Sequence, residues 1–188
     1  AKNEDGSLSG EIENLKAVKQ GLNNDVASLS ANNQANAAIK AGLGMVHQHF
    51  MLIEPFTVVE NIVLGMEPMN GIKVDIKKAR EDVIALSKRY GFKIDPDAKI
   101  QDISVGTQQK VEILKVLYRG ADILIFDEPT AVLTPQEITE LIEIIKNLAK
   151  EGKSIIIITH KLKEIKQMAN RCTIIRRGKK IDTVNVSD

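Results

Sequence analysis

Two short apolar runs, Ile123-Leu124-Ile125-Phe126 and Ile155-Ile156-Ile157-Ile158, break off at polar residues, the first at Asp127-Glu128 and the second at Thr159-His160. Unbroken runs of this length suit strands buried on both faces of a parallel sheet. Such strands deliver the residues after them to the C-terminal edge, where ligands of these sheets collect. Gly44-Met45-Val46 predicts a shorter strand that ends at Gln48. Between the two long runs, Thr134-Pro135-Gln136-Glu137 joins a capping box to a first-turn proline. Ile138, Leu141, Ile142, Ile145 and Leu148 then mark one helix face, and Gly152 ends it. Upstream, Ser104-Val105-Gly106-Thr107-Gln108 opens another helical pattern, with Val111, Ile113, Leu114, Val116 and Leu117 apolar and Gly120 as its stop. A helix start with a hydroxyl and a small residue presents unpaired N–H groups to an anion.

The remainder extends this alternation. Residues 51–102 read as a small helical region: Thr57-Val58-Val59-Glu60 is a capping box, and Asp75 caps a helix over Ile76 to Tyr90 that Gly91 ends. A helix through Leu162, Ile165 and Met168 follows His160. Two final strands, Cys172 to Ile175 and Ile181 to Val184, flank a turn at Arg177-Gly178. Strands alternating with helices imply an α/β sheet. Residues 1–34 differ, with Leu8, Leu15, Leu22 and Leu29 at seven-residue spacing in a polar background. They read as an amphipathic helix that either docks on the domain beginning at residue 35 or pairs with another copy, and a marginal surface helix is the plainer alternative.

Composition narrows the function classes. A net charge of +1 gives no field that would gather nucleic acid or anionic lipid, and the lack of Trp and scarcity of aromatics disfavour base stacking. Cys172 is the single cysteine and has no internal disulfide partner. No apolar run approaches the ~20 residues that span a bilayer, so membrane association is expected to come through partners. His47 and His49 flank Gln48 with no cysteine or third histidine nearby, which argues against zinc.

The order of these polar endings resembles the ATP-binding subunits of ABC transporters. Ile103-Ser104-Val105-Gly106-Thr107 looks like a variant of their LSGGQ signature, with Val105 in place of a glycine and Thr107 in place of the glutamine. Ile123 to Asp127 resembles the Walker B strand, Ala131-Val132-Leu133-Thr134 the D-loop, and Gly44 to Phe50 the Q-loop. With Thr134 in place of the D-loop aspartate, the set looks most like the N-terminal ATPase half of sugar and nucleoside importers. The resemblance implies a P-loop NTPase (RecA-like) sheet with a helical subdomain at 51–102. It also implies ATP and Mg2+ as cofactors. In that reading Asp127 and Gln48 are metal ligands, Glu128 and His160 are catalytic, and Ser104, Val105, Gly106, Thr107 and Gln108 contact the nucleotide of a second ATPase domain. Transmembrane permease subunits would be the other partners, holding the protein at the cytoplasmic face of the cell membrane.

Each residue also has a plainer reading. Asp127-Glu128 could cap the next turn with Pro129 and Thr130, His160 and Gln48 could be strand-end polar residues, and Ser104 could be an N-cap alone. The family also requires a phosphate loop, G-x-x-x-x-G-K-[ST] between a strand and a helix. The sequence offers only Gly152-Lys153-Ser154, with Asn147 where the first glycine belongs and a helix before it instead of a strand. The expectation is therefore a partial sheet whose ATP binding is impaired. The alternative is a non-catalytic self-association or scaffold module led by residues 1–34.

Overall fold

The computed structural model describes residues 37–186, and the chain divides into two units, Ala1–Ala41 and Gly42–Asp188. Of the first unit, residues 37–40 form a helical turn, with the Ala41 N–H donating to the Ala37 carbonyl at 2.9 Å. The amphipathic helix expected over residues 1–34 lies outside the described residues.

Along the second unit run β1 (Leu43–Val46), α1 (Val58–Val63), a hairpin of β2 (Met69–Asn70) and β3 (Lys73–Val74), and α2 (Ile76–Tyr90). After a 3-10 turn (Ile100–Asp102) come α3 (Val105–Tyr118), β4 (Ile123–Asp127), α4 (Pro135–Lys150), β5 (Ser154–Ile158), α5 (Leu162–Met168), β6 (Arg171–Arg176) and β7 (Lys179–Asn185). Helices α1 to α4 start where side chains satisfy their orphan N–H groups, whereas α5 has no side-chain cap. Thr57 with Glu60 and Thr134 with Glu137 form complete capping boxes, and Asp75 and Ser104 accept from Lys78 N–H and Thr107 N–H. Gly91 ends α2 in the left-handed conformation, φ 73°. The β2–β3 hairpin escapes the sequence pattern because strands of two residues carry no periodicity.

Strands β1, β4 and β5 pair in parallel in the order β1-β4-β5, with Val46 opposite Phe126 and Asp127 opposite Ile158. Because strand side chains alternate faces, Val46, Leu124 and Phe126 fall on one side, all fully buried. Ile155 and Ile157 pack against the same core, with α3 beside β1 and α4 beside β5. Gly44 permits the close approach of α3: a Cβ there would stand 2.8 Å from Ala121 Cβ and 2.9 Å from Val116 Cβ.

The other face departs from expectation. Met45 is exposed there, as are Ile156 at 50% and Ile158 at 49%, so β5 is not buried on both faces. The unbroken apolar run made the two faces look equivalent, whereas helices pack on only one of them among the described residues. The chain's end forms a separate antiparallel ribbon, β6–β7, turned by Arg177 (φ 51°) and Gly178 (φ 73°). Two successive positive φ angles are the signature of a hairpin turn that matches strand twist.

Gly152-Lys153-Ser154 is a helix-to-strand turn, as the sequence context indicated. Gly152 (φ 88°) closes α4, and Lys153 Nζ donates to the Ala121 carbonyl at 2.8 Å and to Asp122 Oδ1 at 2.7 Å. Those contacts lie before the start of β4, at the sheet edge opposite the one where its acids emerge.

Candidate functional site

The C-terminal sheet edge is built by strand register. Pairing continues one step past Asp127, where the Glu128 N–H donates to the Ile158 carbonyl at 2.9 Å. There the chain leaves the sheet with Glu128 at φ 45°, a left-handed conformation that costs a non-glycine residue on the order of 1–3 kcal/mol. The bend brings Glu128 Oε1 within 2.8 Å of His160 Nδ1, so the acid and the imidazole predicted from two separate strand ends form one pair. His160 is otherwise open, its side chain 79% exposed, while the Glu128 side chain is largely covered. Glu128 Oε2 is buried with no hydrogen-bond partner among the described residues. A buried polar atom in that condition demands an explanation, and one is a bound polar group from outside the chain.

Asp127 is half-buried beside Glu128. Gln48 is exposed in a bend two residues beyond Val46, where β1 and its pairing with β4 end. No described hydrogen bond joins either Asp127 or Gln48 to the Glu128–His160 pair. Among the described residues no three His, Cys, Asp or Glu side chains cluster as metal ligands. Oxygen donors limited to one or two carboxylates and an amide fit magnesium, which keeps several waters and leans on substrate phosphates.

The bend at Glu128 is held through Thr130 by two residues with no candidate role in the sequence, Lys161 and Glu164. Pro129 and Thr130 are buried, and Thr130 Oγ1 donates to the buried Glu164 Oε2 at 2.7 Å. Lys161 Nζ donates to the Thr130 carbonyl at 3.0 Å and to Thr130 Oγ1 at 3.1 Å, and lies 3.4 Å from Glu164 Oε1. The start of α5 therefore grips the loop after Glu128 from the residue next to His160. Nothing local in the sequence marks Glu164, whose partner lies 34 positions away.

The helix start at Ser104 is a second polar centre. Ser104 Oγ accepts the Thr107 N–H at 3.2 Å and lies 3.1 Å from Thr107 Oγ1. Gly106 is buried and donates its N–H to Glu137 Oε1 at 3.1 Å, and Val105 is exposed. Gln108 turns inward, its amide donating to the Ile100 and Ile103 carbonyls at 3.2 and 3.4 Å. No described hydrogen bond connects this turn with Glu128 or His160. Glu137 was read from sequence only as the last member of a capping box, and its reach to Gly106 is a tertiary contact.

Further along α3, Glu112 and Lys115 clip the peptide groups of Met51. Glu112, 3% exposed, accepts the Met51 N–H at 2.9 Å, and Lys115 donates to the Met51 carbonyl at 2.8 Å. Asn61 holds the next peptides, accepting from Ile53 N–H at 2.7 Å and donating to the Ile53 and Thr57 carbonyls. With its backbone held this way, the segment after Gln48 leaves the Met51, Ile53 and Phe56 side chains exposed.

Comparison with known proteins bears on the family and the fold. The family model described as ABC transporter matches residues 8–131, a span that begins inside the N-terminal segment. The chain is 67% identical over 151 residues to the nucleoside import ATP-binding protein NupA of Lactococcus lactis subsp. cremoris (strain MG1363), covering 80% of this chain and 30% of that protein. It is 63% identical over 156 residues to the guanosine import ATP-binding protein NupO of Bacillus subtilis (strain 168), covering 83% of this chain and 31% of that protein. Thus it spans about 30% of the length of these relatives. Among solved structures, cbiO1 of Clostridium perfringens, part of the ABC transporter complex cbiONQ, superposes with a TM-score of 0.65 at 26% identity, over 78% of this chain and 58% of that one. The ATP-binding cassette MJ0796 bound to ADP and Pi shares the fold at a TM-score of 0.61 and 22% identity, over 78% of this chain and 63% of that one. A parallel sheet that pairs an acid with an imidazole at its C-terminal edge, a helix opening on a signature-like turn, and these likenesses together identify the chain as a member of the ABC transporter family.

Proposed function

We infer that this chain is a portion of the ATP-binding subunit of an importer for nucleosides or related sugars. The relatives' names support the solute class, and the observation that carries the chemistry is the Glu128–His160 pair beside Asp127 at the sheet edge. In this reading Asp127, with Gln48, holds magnesium, which neutralises phosphate charge when bound. Glu128 orients a water toward the terminal phosphoryl group, and His160 holds the carboxylate in that pose. Ser104 and Gly106 face the nucleotide of a second ATPase domain. The 51–102 subdomain docks on transmembrane permease subunits through exposed apolar side chains such as Met51, Phe56, Met66, Met69 and Ile72, at the inner face of the cell membrane. No helix among the described residues is long and apolar enough to cross a membrane.

Most contacts to a nucleotide's phosphates in this fold come from a glycine-rich loop with its lysine, a pattern this sequence does not contain. The chain by itself therefore binds MgATP weakly. Titration of the purified chain with a fluorescent ATP analogue is expected to show no saturation in the micromolar range with or without magnesium. Micromolar, magnesium-dependent binding would overturn this account of the chain.

A further inference from the structure

Glu137 serves two helices at once. Its Oε2 accepts the Thr134 N–H and the Thr134 hydroxyl, both at 3.0 Å, which closes the capping box of α4. Its Oε1 lies 3.1 Å from the Gly106 nitrogen and 3.4 Å from Ser104 Oγ, at the start of α3. A capping box asks only that the N3 side chain reach its own N-cap N–H. The second oxygen sits on the donors of another helix, which are the groups assigned above to a second domain's nucleotide.

Two further observations show that the seat is built for this carboxylate. A Cβ at Gly106 would stand 2.7 Å from Glu137 Cγ and run into the carboxylate itself, so only glycine admits the approach. The Thr134 N–H, followed by the Thr134 hydroxyl, the Gly106 N–H and the Ser104 hydroxyl, holds the Glu137 carboxyl below its ordinary value of 4.5. The group is thus an anion at neutral pH, seated where an incoming phosphate would have to lie. Two anions do not share such a seat without repulsion.

We propose that Glu137 is an internal counter-ligand of the signature turn: its carboxylate occupies the Gly106 and Ser104 donors in the unassembled chain and withdraws to its capping role on α4 before a phosphate group binds there. The proposal rests on the signature-turn assignment made under the proposed function. It gives the turn a threshold, because an anion must outcompete a resident carboxylate already in contact. It also ties phosphate arrival to the loop over residues 131–134, since the departing oxygen leaves Glu137 bonded only to Thr134.

The test follows the Gly106 amide by NMR in the 15N-labelled chain and in Glu137→Gln and Glu137→Ala, during titration with inorganic phosphate at constant ionic strength and neutral pH. Gln retains the capping partner while removing the charge, and Ala empties the seat. Both variants are expected to show the Gly106 shift at phosphate concentrations lower by about tenfold or more, the scale of a charge-assisted hydrogen bond. Without phosphate, the wild-type Gly106 and Thr134 amides should titrate together as pH falls below 4.5 through the lowered Glu137 value, and neither should do so in the variants. Equal phosphate midpoints in all three chains would overturn the counter-ligand role and leave the signature assignment standing. A lowered midpoint in the Ala variant alone would assign the block to bulk instead of charge, which also overturns it. No Gly106 response to phosphate in any chain would overturn both the proposal and the assignment beneath it.

Discussion

Glu128 and Glu137 belong to one strand–loop–helix unit, yet their carboxylates are in opposite circumstances. At the sheet edge Glu128 has one oxygen on an open imidazole and the other buried without a partner among the described residues. At the signature turn Glu137 has both oxygens engaged, across two helices. The first centre has hydrogen-bonding capacity left over, whereas the second is internally satisfied and, in the proposed reading, takes a ligand only by exchange. The contrast teaches that unmet hydrogen-bonding capacity and unmet function are separate properties: a satisfied polar cluster can still be a working site if its occupant is able to leave.

The largest effect should come from the layer beneath the edge. Phe126, fully buried on the helix-covered face, anchors the strand just before Asp127-Glu128, and Phe126→Ala should cost about 3–5 kcal/mol in urea unfolding. A loss under about 1 kcal/mol would mean that this face does not hold the edge in place. Next comes the crowded seat: Gly106→Ala makes the flexible end of Glu137 swing aside and should cost about 1 kcal/mol, the scale of the hydrogen bond given up. Combining it with Glu137→Ala should recover most of that loss, and simple additivity of the two would contradict the close approach. The smallest effect is expected at the open centre. His160→Ala removes a side chain mostly in solvent and should change stability by less than about 0.5 kcal/mol, so a larger loss would make the histidine a structural prop.

Much of this molecule was legible before its structure. The α2 boundaries follow from Asp75 and Gly91, and the capping boxes at Thr57 and Thr134 begin helices where the pattern placed them. Caps and apolar spacing are local, so a window of the sequence contains the whole interaction. The acid pair and the histidine were legible as strand endings for the same reason. By contrast, the exposure of Ile156 and Ile158 was not, because an unbroken apolar run does not say which of its faces a helix will cover. The clip of Glu112 and Lys115 on Met51, and the bond from Thr130 to Glu164, join positions 61, 64 and 34 residues apart and leave no periodic trace.

What the amino-acid order determined was where each polar group leaves its strand or helix, since that depends on neighbours a few residues away. Only the folded chain decided which of those groups meet. Parallel register turned Glu128 toward His160, and side chains reaching from α4 to α3 set Glu137 on Gly106 and Glu140 on Lys110. Contact across a sheet or between helices depends on distances that chain order does not encode locally, so the partnership of two carboxylates with their sites emerges from tertiary geometry.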